Sequence, residues 1–463
     1  MRALSVGRVR AALLVWALSA TLGGFVFGYE MAVISGALLF LRHDFGLGGF
    51  EQGALVSVVP LGAMAGGVLA GRVADALGRR RALVLIATVF IAGTVLAVVA
   101  PSYAVLVVAR AITGVAVGAA SSTVPVYVSE IAPQGVRGRL VTLNQLMITL
   151  GILVAYCVGL AFSGSGEWRA MFAVGLVPTV LLLAGMLRAP ETPAWLVARG
   201  DTERARDVLL RVVDAEEAER MLAELRRTRA RPRRGAGVRT LLRSPAAPAL
   251  LIGVTLAAVQ QFAGINAVIA YAPSIMERTG LSASNSILYS IAVGVANVAA
   301  TVVAVRLVDR RGRRPLLLAS TAGTFAALVL LGVTFEASLG DWGAWLSLVG
   351  LLTYVTSFAV GLGPIFWLLI AEIFPPEARA AGAGTATAVN WLSSFLVGLV
   401  FVPLADSIGQ GPTFWLFAGV CVLGFASVQR YVPETKGRTF AEIDAELRAR
   451  FDRRRAGRGA AVT

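Results

Sequence analysis

Apolar residues collect in twelve long runs along the chain. A helix rises 1.5 Å per residue, so about 20 apolar residues cross a bilayer. The runs are 11–40, 52–73, 82–100, 103–128, 140–163, 168–187, 247–275, 286–307, 315–336, 343–370, 381–405 and 412–430. They predict twelve membrane helices joined by short turns rich in Gly, Pro and Arg. The first, fourth, seventh and tenth runs are longest, and each contains glycine or polar residues, the pattern of bent helices lining a cavity. One long polar insert, Arg188 to Arg243, separates runs six and seven. Within it Glu203, Asp207, Glu216 and Glu219 alternate with arginines at helical spacing, and Leu209, Leu210, Leu222 and Leu225 form an apolar stripe. That pattern predicts one to three short amphipathic helices. Residues 231–237 read as a linker, 439–447 as another short helix, and the chain from Arg453 as disordered.

Composition sharpens this. The chain has 463 residues, 57% hydrophobic and 15% charged, with a mean hydropathy of +0.76. A soluble domain carries nearer a quarter of charged residues. Soluble multidomain, disordered and fibrous classes are therefore excluded. Lys and Arg number 42 against 27 acids, a net charge of +15. In a soluble chain that would suggest a nucleic-acid partner; here the position of the charges excludes one. With the N-terminus placed inside, three of the 42 (Arg42, Arg169, Arg278) fall in outside loops and Arg110 falls within a span, which leaves 38 inside. The short loops agree: Arg72 and Arg79 to Arg81 follow run two, and Arg306, Arg310, Arg311, Arg313 and Arg314 follow run eight. Both termini are expected in the cytoplasm, with the chain in the cell (inner, cytoplasmic) membrane. The first run lacks a small-residue cleavage site and reads as a retained helix. Cys157 and Cys421 read as small core residues, not a pair. His43, the sole histidine, is expected in a loop, and chemistry built on several histidines is excluded.

The chain repeats itself. Asp75-Ala-Leu-Gly-Arg-Arg recurs as Asp309-Arg-Arg-Gly-Arg-Arg, 234 positions on. Glu130-Ile-Ala-Pro with Arg137 recurs as Glu372-Ile-Phe-Pro with Arg379, 242 on. Pro190-Glu-Thr recurs as Pro433-Glu-Thr, 243 on. A six-helix unit has been duplicated. Six crossings preserve orientation, so the halves are expected about an axis along the membrane normal, with substrate between them. The expected division is a six-helix bundle over 1–187, a cytoplasmic helical linker over 188–246, a second bundle over 247–430 and a tail over 431–463.

These motifs resemble the major facilitator superfamily and within it the sugar porter family, whose bacterial proton-coupled symporters it is similar to. The motifs are Gly71-x-x-x-Asp75-x-x-Gly78-Arg79-Arg80, Arg110-x-x-x-Gly114, Glu130 with Arg137-Gly-Arg139, Pro190-Glu-Thr-Pro-x-Trp195, Gln260-Gln261-Phe-x-Gly-x-Asn266, Gly363-Pro364 before Trp367, and Pro433-Glu-Thr-Lys-Gly437. The resemblance spans about 11 to 440 and implies an all-α membrane fold of twelve helices in two six-helix bundles. Carboxylates and guanidiniums at inner helix ends can pair, and can part when the halves rock. Arg72, Asp75, Arg80, Glu130, Arg137, Glu191, Arg306, Asp309, Glu372, Arg379 and Glu434 are expected to form such a cytoplasmic gate. Arg81, Arg311 and Arg314 are expected to face headgroups.

Two charges lie inside the membrane. Glu30 is about 28 Å along the first span, and Arg110 about 10 Å into the fourth from the outside, at matching depth. A lone charge there is costly, so each is the candidate partner of the other. The resemblance implies a proton site, since proton-coupled members carry a carboxylate at this position. A static pair that fixes packing is the alternative. The family usually has Asp here, and this chain has Glu.

A sugar needs amide donors and acceptors and an aromatic platform. The resemblance places Phe27, Gln260, Gln261, Asn266, Asn297, Trp367, Asn390 and Trp391 at sugar-contacting positions. Interhelical hydrogen bonding is the alternative for the amides, and packing for Phe27. Ile152 stands where the family commonly has Gln, and Ala270 where an aromatic hydroxyl is common. Both make the expected pocket roomier and less polar, which opens it to polyols, modified sugars or less polar metabolites. The expected function is proton-coupled symport of a monosaccharide or polyol by alternating access. It needs no cofactor beyond a proton gradient, and its partners are substrate, protons and the bilayer around a monomer. A transporter of another metabolite or drug, or a uniporter, is the alternative. A sensor would carry a longer tail, and no motif for an enzyme is present.

Overall fold

The computed structural model describes residues 11–229, 246–337, 342–375, 378–438, 442–447 and 449–450. The linker expected at 231–237 and the chain from Arg453 lie outside them. Eighteen helices of seven residues or more and no strands occur among the described residues. They are α1 Ala11–Asp44, α2 Gly49–Leu77, α3 Arg79–Val98, α4 Tyr103–Ile131, α5 Gln134–Ala161, α6 Trp168–Val174, α7 Leu176–Arg188, α8 Pro193–Arg199, α9 Thr202–Leu210, α10 Ala215–Arg229, α11 Ala247–Phe262, α12 Ile265–Glu277, α13 Ala283–Arg311, α14 Arg313–Glu336, α15 Trp342–Val360, α16 Leu362–Glu372, α17 Arg379–Ile408 and α18 Gln410–Tyr431. Twelve spans are long and apolar enough to cross a membrane, at the twelve expected places. Three consist of two helices each: α6 with α7, α11 with α12, and α15 with α16. The second break sits on Gly264, at φ 96°, a left-handed conformation that glycine adopts without a Cβ clash. The third sits at Gly361, where a Cβ would lie 2.3 Å from the Ser320 side chain.

The chain forms two compact units. The first comprises residues 1–30, 62–154 and 169–233; the second comprises 31–61, 155–168 and 234–463. In the first, α1 meets α5 backbone to backbone. A Cβ on Gly28 would lie 1.9 Å from Ile148 O, and one on Gly151 2.1 Å from Phe25 O. α2 meets α4 in the same way, through Gly66 against Val115 O and Gly118 against Ala63 O, each at 1.9 Å. In lipid there is little hydrophobic drive between helices, so such small-residue crossings carry the packing. The polar insert forms the three short helices α8 to α10. Thr192 and Asp201 cap the first two through their side chains.

In the second unit the ends remote from the arginine-rich motifs are laced together. Arg42 pairs with Glu277 at 2.7 Å and Arg278 with Asp406 at 2.8 Å. Trp168 Nε1 donates to Asp44 at 2.7 Å, and the Tyr156 hydroxyl to Ile269 O at 2.9 Å. Two small expectations are corrected. His43 lies in the last turn of α1 and not in a loop, because the helix continues to Asp44. Cys157 is exposed and so is not a core residue, whereas Cys421 is buried; both are free thiols. Residues 442–447 are helical, with Ile443 and Leu447 buried.

Candidate functional site

Glu30 and Arg110 meet. Arg110 Nη1 lies 2.7 Å from Glu30 Oε2, with the side chains 1% and 2% exposed. Arg110 Nη2 also donates to Glu30 O at 3.2 Å. The Thr94 hydroxyl of α3 hydrogen-bonds the Glu30 carboxylate. The Phe172 ring of α6 covers the guanidinium, 5.6 Å from Cζ to centroid. Glycine crossings bring α1 and α4 close to their neighbours, and the pair supplies the matching charges that so dry a place requires. Arg110 Nε is buried with no hydrogen-bond partner among the described residues. Thr94 and Phe172 were not foreseen. A threonine or phenylalanine in an apolar run carries no sequence signal of what it faces.

In the second unit the amides form one connected chain. Gln260 Nε2 donates to Leu362 O at 2.7 Å and to Gly363 O at 3.2 Å. Asn390 Nδ2 donates to Gln260 Oε1 at 2.6 Å, and Gln261 Nε2 to Asn390 Oδ1 at 3.0 Å. Asn266 Nδ2 donates to Gln261 Oε1 at 2.9 Å and to Ser394 Oγ at 2.7 Å. The chain joins α11, α12, α16 and α17 where two spans break. The Tyr354 hydroxyl adds a bond to Ala263 O, at the Gly264 break, at 2.7 Å. Gln260, Gln261 and Asn390 are buried. Ser394 was missed, although it follows Asn390 by one helical turn. Asn297 is buried on α13 and outside this chain of bonds. Trp391 is 3% exposed, next to Asn390; Trp367 is 39% exposed with its ring edge-on to Phe366. Phe27 is half-buried and belongs to the first unit. Ile152 and Ala270 are buried, in the first and second units respectively.

The duplicated motifs build the same clamp twice. In the first unit Arg79 pairs with Asp75 at 2.9 Å and with Glu130 at 3.2 Å. Thr192 Oγ1 donates to Glu130 at 2.6 Å. Glu191 accepts from the backbone N–H of Arg79 at 2.9 Å and of Arg80 at 3.1 Å. Arg80 donates to Met186 O and Leu187 O. In the second unit Arg313 pairs with Glu372 at 2.9 Å. Thr435 Oγ1 donates to Glu372 at 2.5 Å. Glu434 accepts from the N–H of Arg313 at 2.9 Å and of Arg314 at 3.1 Å, and Arg314 donates to Gln429 O at 2.6 Å. Gly78 and Gly312, at φ 100° and 88°, let each loop close over its carboxylate. Outside the spans, burial raises the Glu434 carboxyl, but four backbone N–H groups outweigh it and hold the group below the usual range.

The clamp differs in membership from the expected gate. Arg79 and Arg313 hold the carboxylates and were missed, because adjacent arginines leave open which one turns inward. Arg314 was expected to face headgroups and instead reaches Gln429 O. Arg72, Arg137 and Arg306 are exposed and make no ion pair among the described residues. Arg379 is exposed and, among the described residues, donates to Phe374 O at 3.4 Å. The Asp309 side chain lies outside the described residues.

Comparison with known proteins agrees with this geometry. The chain is 40% identical over 430 residues to a glucose transporter of Staphylococcus epidermidis, covering 93% of this chain and 96% of that one. It is 37% identical over 431 residues to a galactose-proton symporter of Escherichia coli, covering 92% and 93%. A solved inward open structure of the xylose transporter XylE from E. coli is similar at a TM-score of 0.82, with 31% identity and coverage of 94% and 99%. The family described as "Sugar (and other) transporter" matches residues 16–447. With twelve apolar spans, a duplicated clamp and these relatives, the chain belongs to the sugar porter family of the major facilitator superfamily: a multi-pass membrane transporter and not an enzyme.

Proposed function

We propose that the chain carries a monosaccharide or polyol together with a proton across the cell membrane by alternating access. Both termini lie in the cytoplasm, and the protein acts as a monomer without a cofactor. The observation that carries this reading is the Glu30–Arg110 pair, fully buried in the apolar interior. Protonating Glu30 removes the counter-charge of Arg110 and frees α1 to move against α4. The amide chain supports a hydroxyl-rich cargo, since each of its bonds can be exchanged for one to a sugar hydroxyl. Asn297, Trp367 and Trp391 complete that proposed site. The two clamps, carrying Arg79 and Arg313 beside Asp75, Arg80, Glu130, Glu191, Glu372 and Glu434, act as the cytoplasmic gate. The similarity to a galactose-proton symporter favours coupling to protons.

Purified protein in proteoliposomes, offered hexoses, pentoses, polyols and non-sugar metabolites with and without a pH gradient, tests this. Glu30→Gln is expected to abolish accumulation and keep counterflow. Full uphill uptake in that variant overturns the proton role, and no uptake of any sugar or polyol overturns the cargo. Apolar Ile152 and Ala270 favour a second reading, a less polar metabolite, which the same panel resolves.

A further inference from the structure

The sixth span loses one helical hydrogen bond beside the ion pair, and a side chain from another helix replaces it. Gly175 N–H donates to Phe172 O, three residues back, at 3.0 Å. A regular helix would send that N–H to Met171 O. The Tyr29 hydroxyl takes its place, donating to Met171 O at 2.5 Å. Tyr29 is 1% exposed, and Gly175 makes room for its ring: a Cβ there would lie 3.0 Å from Tyr29 Cε1. Tyr29 immediately precedes Glu30 on α1. Phe172 immediately follows Met171 and faces the Arg110 guanidinium. Both members of the ion pair are thereby tied to the same turn of α6, Glu30 through Tyr29 and Arg110 through Phe172.

We propose that Tyr29 and Phe172 are positioning residues for proton coupling, which link the state of the Glu30–Arg110 pair to the joint between α6 and α7. This rests on the proton reading of Glu30. The physical argument is that Arg110 has two attractive faces, the Glu30 carboxylate and the Phe172 ring. When Glu30 takes up a proton the balance passes to the ring, because a desolvated guanidinium over an aromatic face retains its attraction. The Tyr29 hydroxyl holds Met171 O where the regular bond from Gly175 N–H is missing, so a shift of α1 pulls directly on the irregular turn. The groups that face Glu30 are the Arg110 guanidinium from α4 and the Thr94 hydroxyl from α3; the Tyr29 phenol adjoins it on α1.

Tyr29→Phe removes the hydroxyl and keeps the ring, and Phe172→Leu removes the aromatic face and keeps bulk. Uptake in proteoliposomes as a function of external pH is compared with counterflow at equal pH. Each variant is expected to move the pH midpoint by about half a unit or more while counterflow persists. The double variant should move it no further than the larger single, as for two members of one linkage. An unmoved midpoint, with uptake scaled equally at every pH, overturns the proposal, and so do additive shifts. Should parent uptake ignore the pH gradient, the proton reading falls, and the linkage is judged by amide hydrogen exchange. Faster exchange at the α6–α7 joint in Tyr29→Phe upholds it; unchanged exchange there overturns it.

Discussion

The two halves of the sequence keep one feature residue for residue and differ in another. At the arginine-rich ends each half has an arginine on a carboxylate, a threonine on the same carboxylate, and a Pro-Glu-Thr glutamate that accepts the backbone N–H groups of two successive arginines. Within the spans the likeness ends. Deep inside them the first unit holds the buried Glu30–Arg110 pair, and the second a neutral chain of amides. A charged pair can be switched by one proton, whereas a chain of amides exchanges hydrogen bonds at little electrostatic cost. Duplication supplied a common frame, and divergence left a buried charged pair in one half and a neutral amide chain in the other.

That contrast can be broken at four places, in falling order of effect. Arg110→Leu leaves a buried carboxylate unpaired and is expected to cost about 3–5 kcal/mol. Thermal unfolding in detergent measures it, and a loss under about 1 kcal/mol would remove the charged pair from the argument. Gly78→Ala should cost roughly 1–3 kcal/mol through its positive φ. It should exceed Gly312→Ala, because the new Cβ would sit 2.2 Å from Glu191 Oε2 against 2.6 Å from Glu434 Oε2. Equal losses would show that the clamps yield alike. Gln261→Leu strands acceptor and donor groups on Asn390 and Asn266 and should cost about 1–3 kcal/mol. Weakened substrate binding with an unmoved pH profile is expected, and a moved profile would erase the division between switch and recognition.

The smallest effect is a pH dependence at the second clamp. The folded Glu434 carboxyl is held below its usual range, so its contribution is present above the unfolded value and lost as pH falls through the folded one. Glu434→Gln should flatten the acid limb of a melting-temperature profile below about pH 4.3. A parallel acid limb in parent and variant would show that Glu434 contributes nothing there.

The spans and the duplication were legible because a bilayer imposes a length and composition on every crossing. Legible too was the meeting of Glu30 with Arg110, since a charge in hydrocarbon demands a partner and few were available. Arg79 and Arg313 were not legible. Adjacent arginines on a helix point in directions 100° apart, and only packing selects the one that faces the carboxylate. Ser394, Thr94 and Phe172 escaped for the same reason, since short polar and aromatic residues are common in spans and only a neighbour gives them meaning.

Sequence by itself therefore determined the class of molecule, the twelve crossings, the internal repeat and the buried charges, because each follows from the cost of placing polar groups in lipid. Tertiary structure alone decided which arginine closes each clamp, how the amides join across two helix breaks, and that Tyr29 replaces a lost helical bond in the sixth span. Those depend on directions and distances between helices, which hydrophobicity along one chain does not encode.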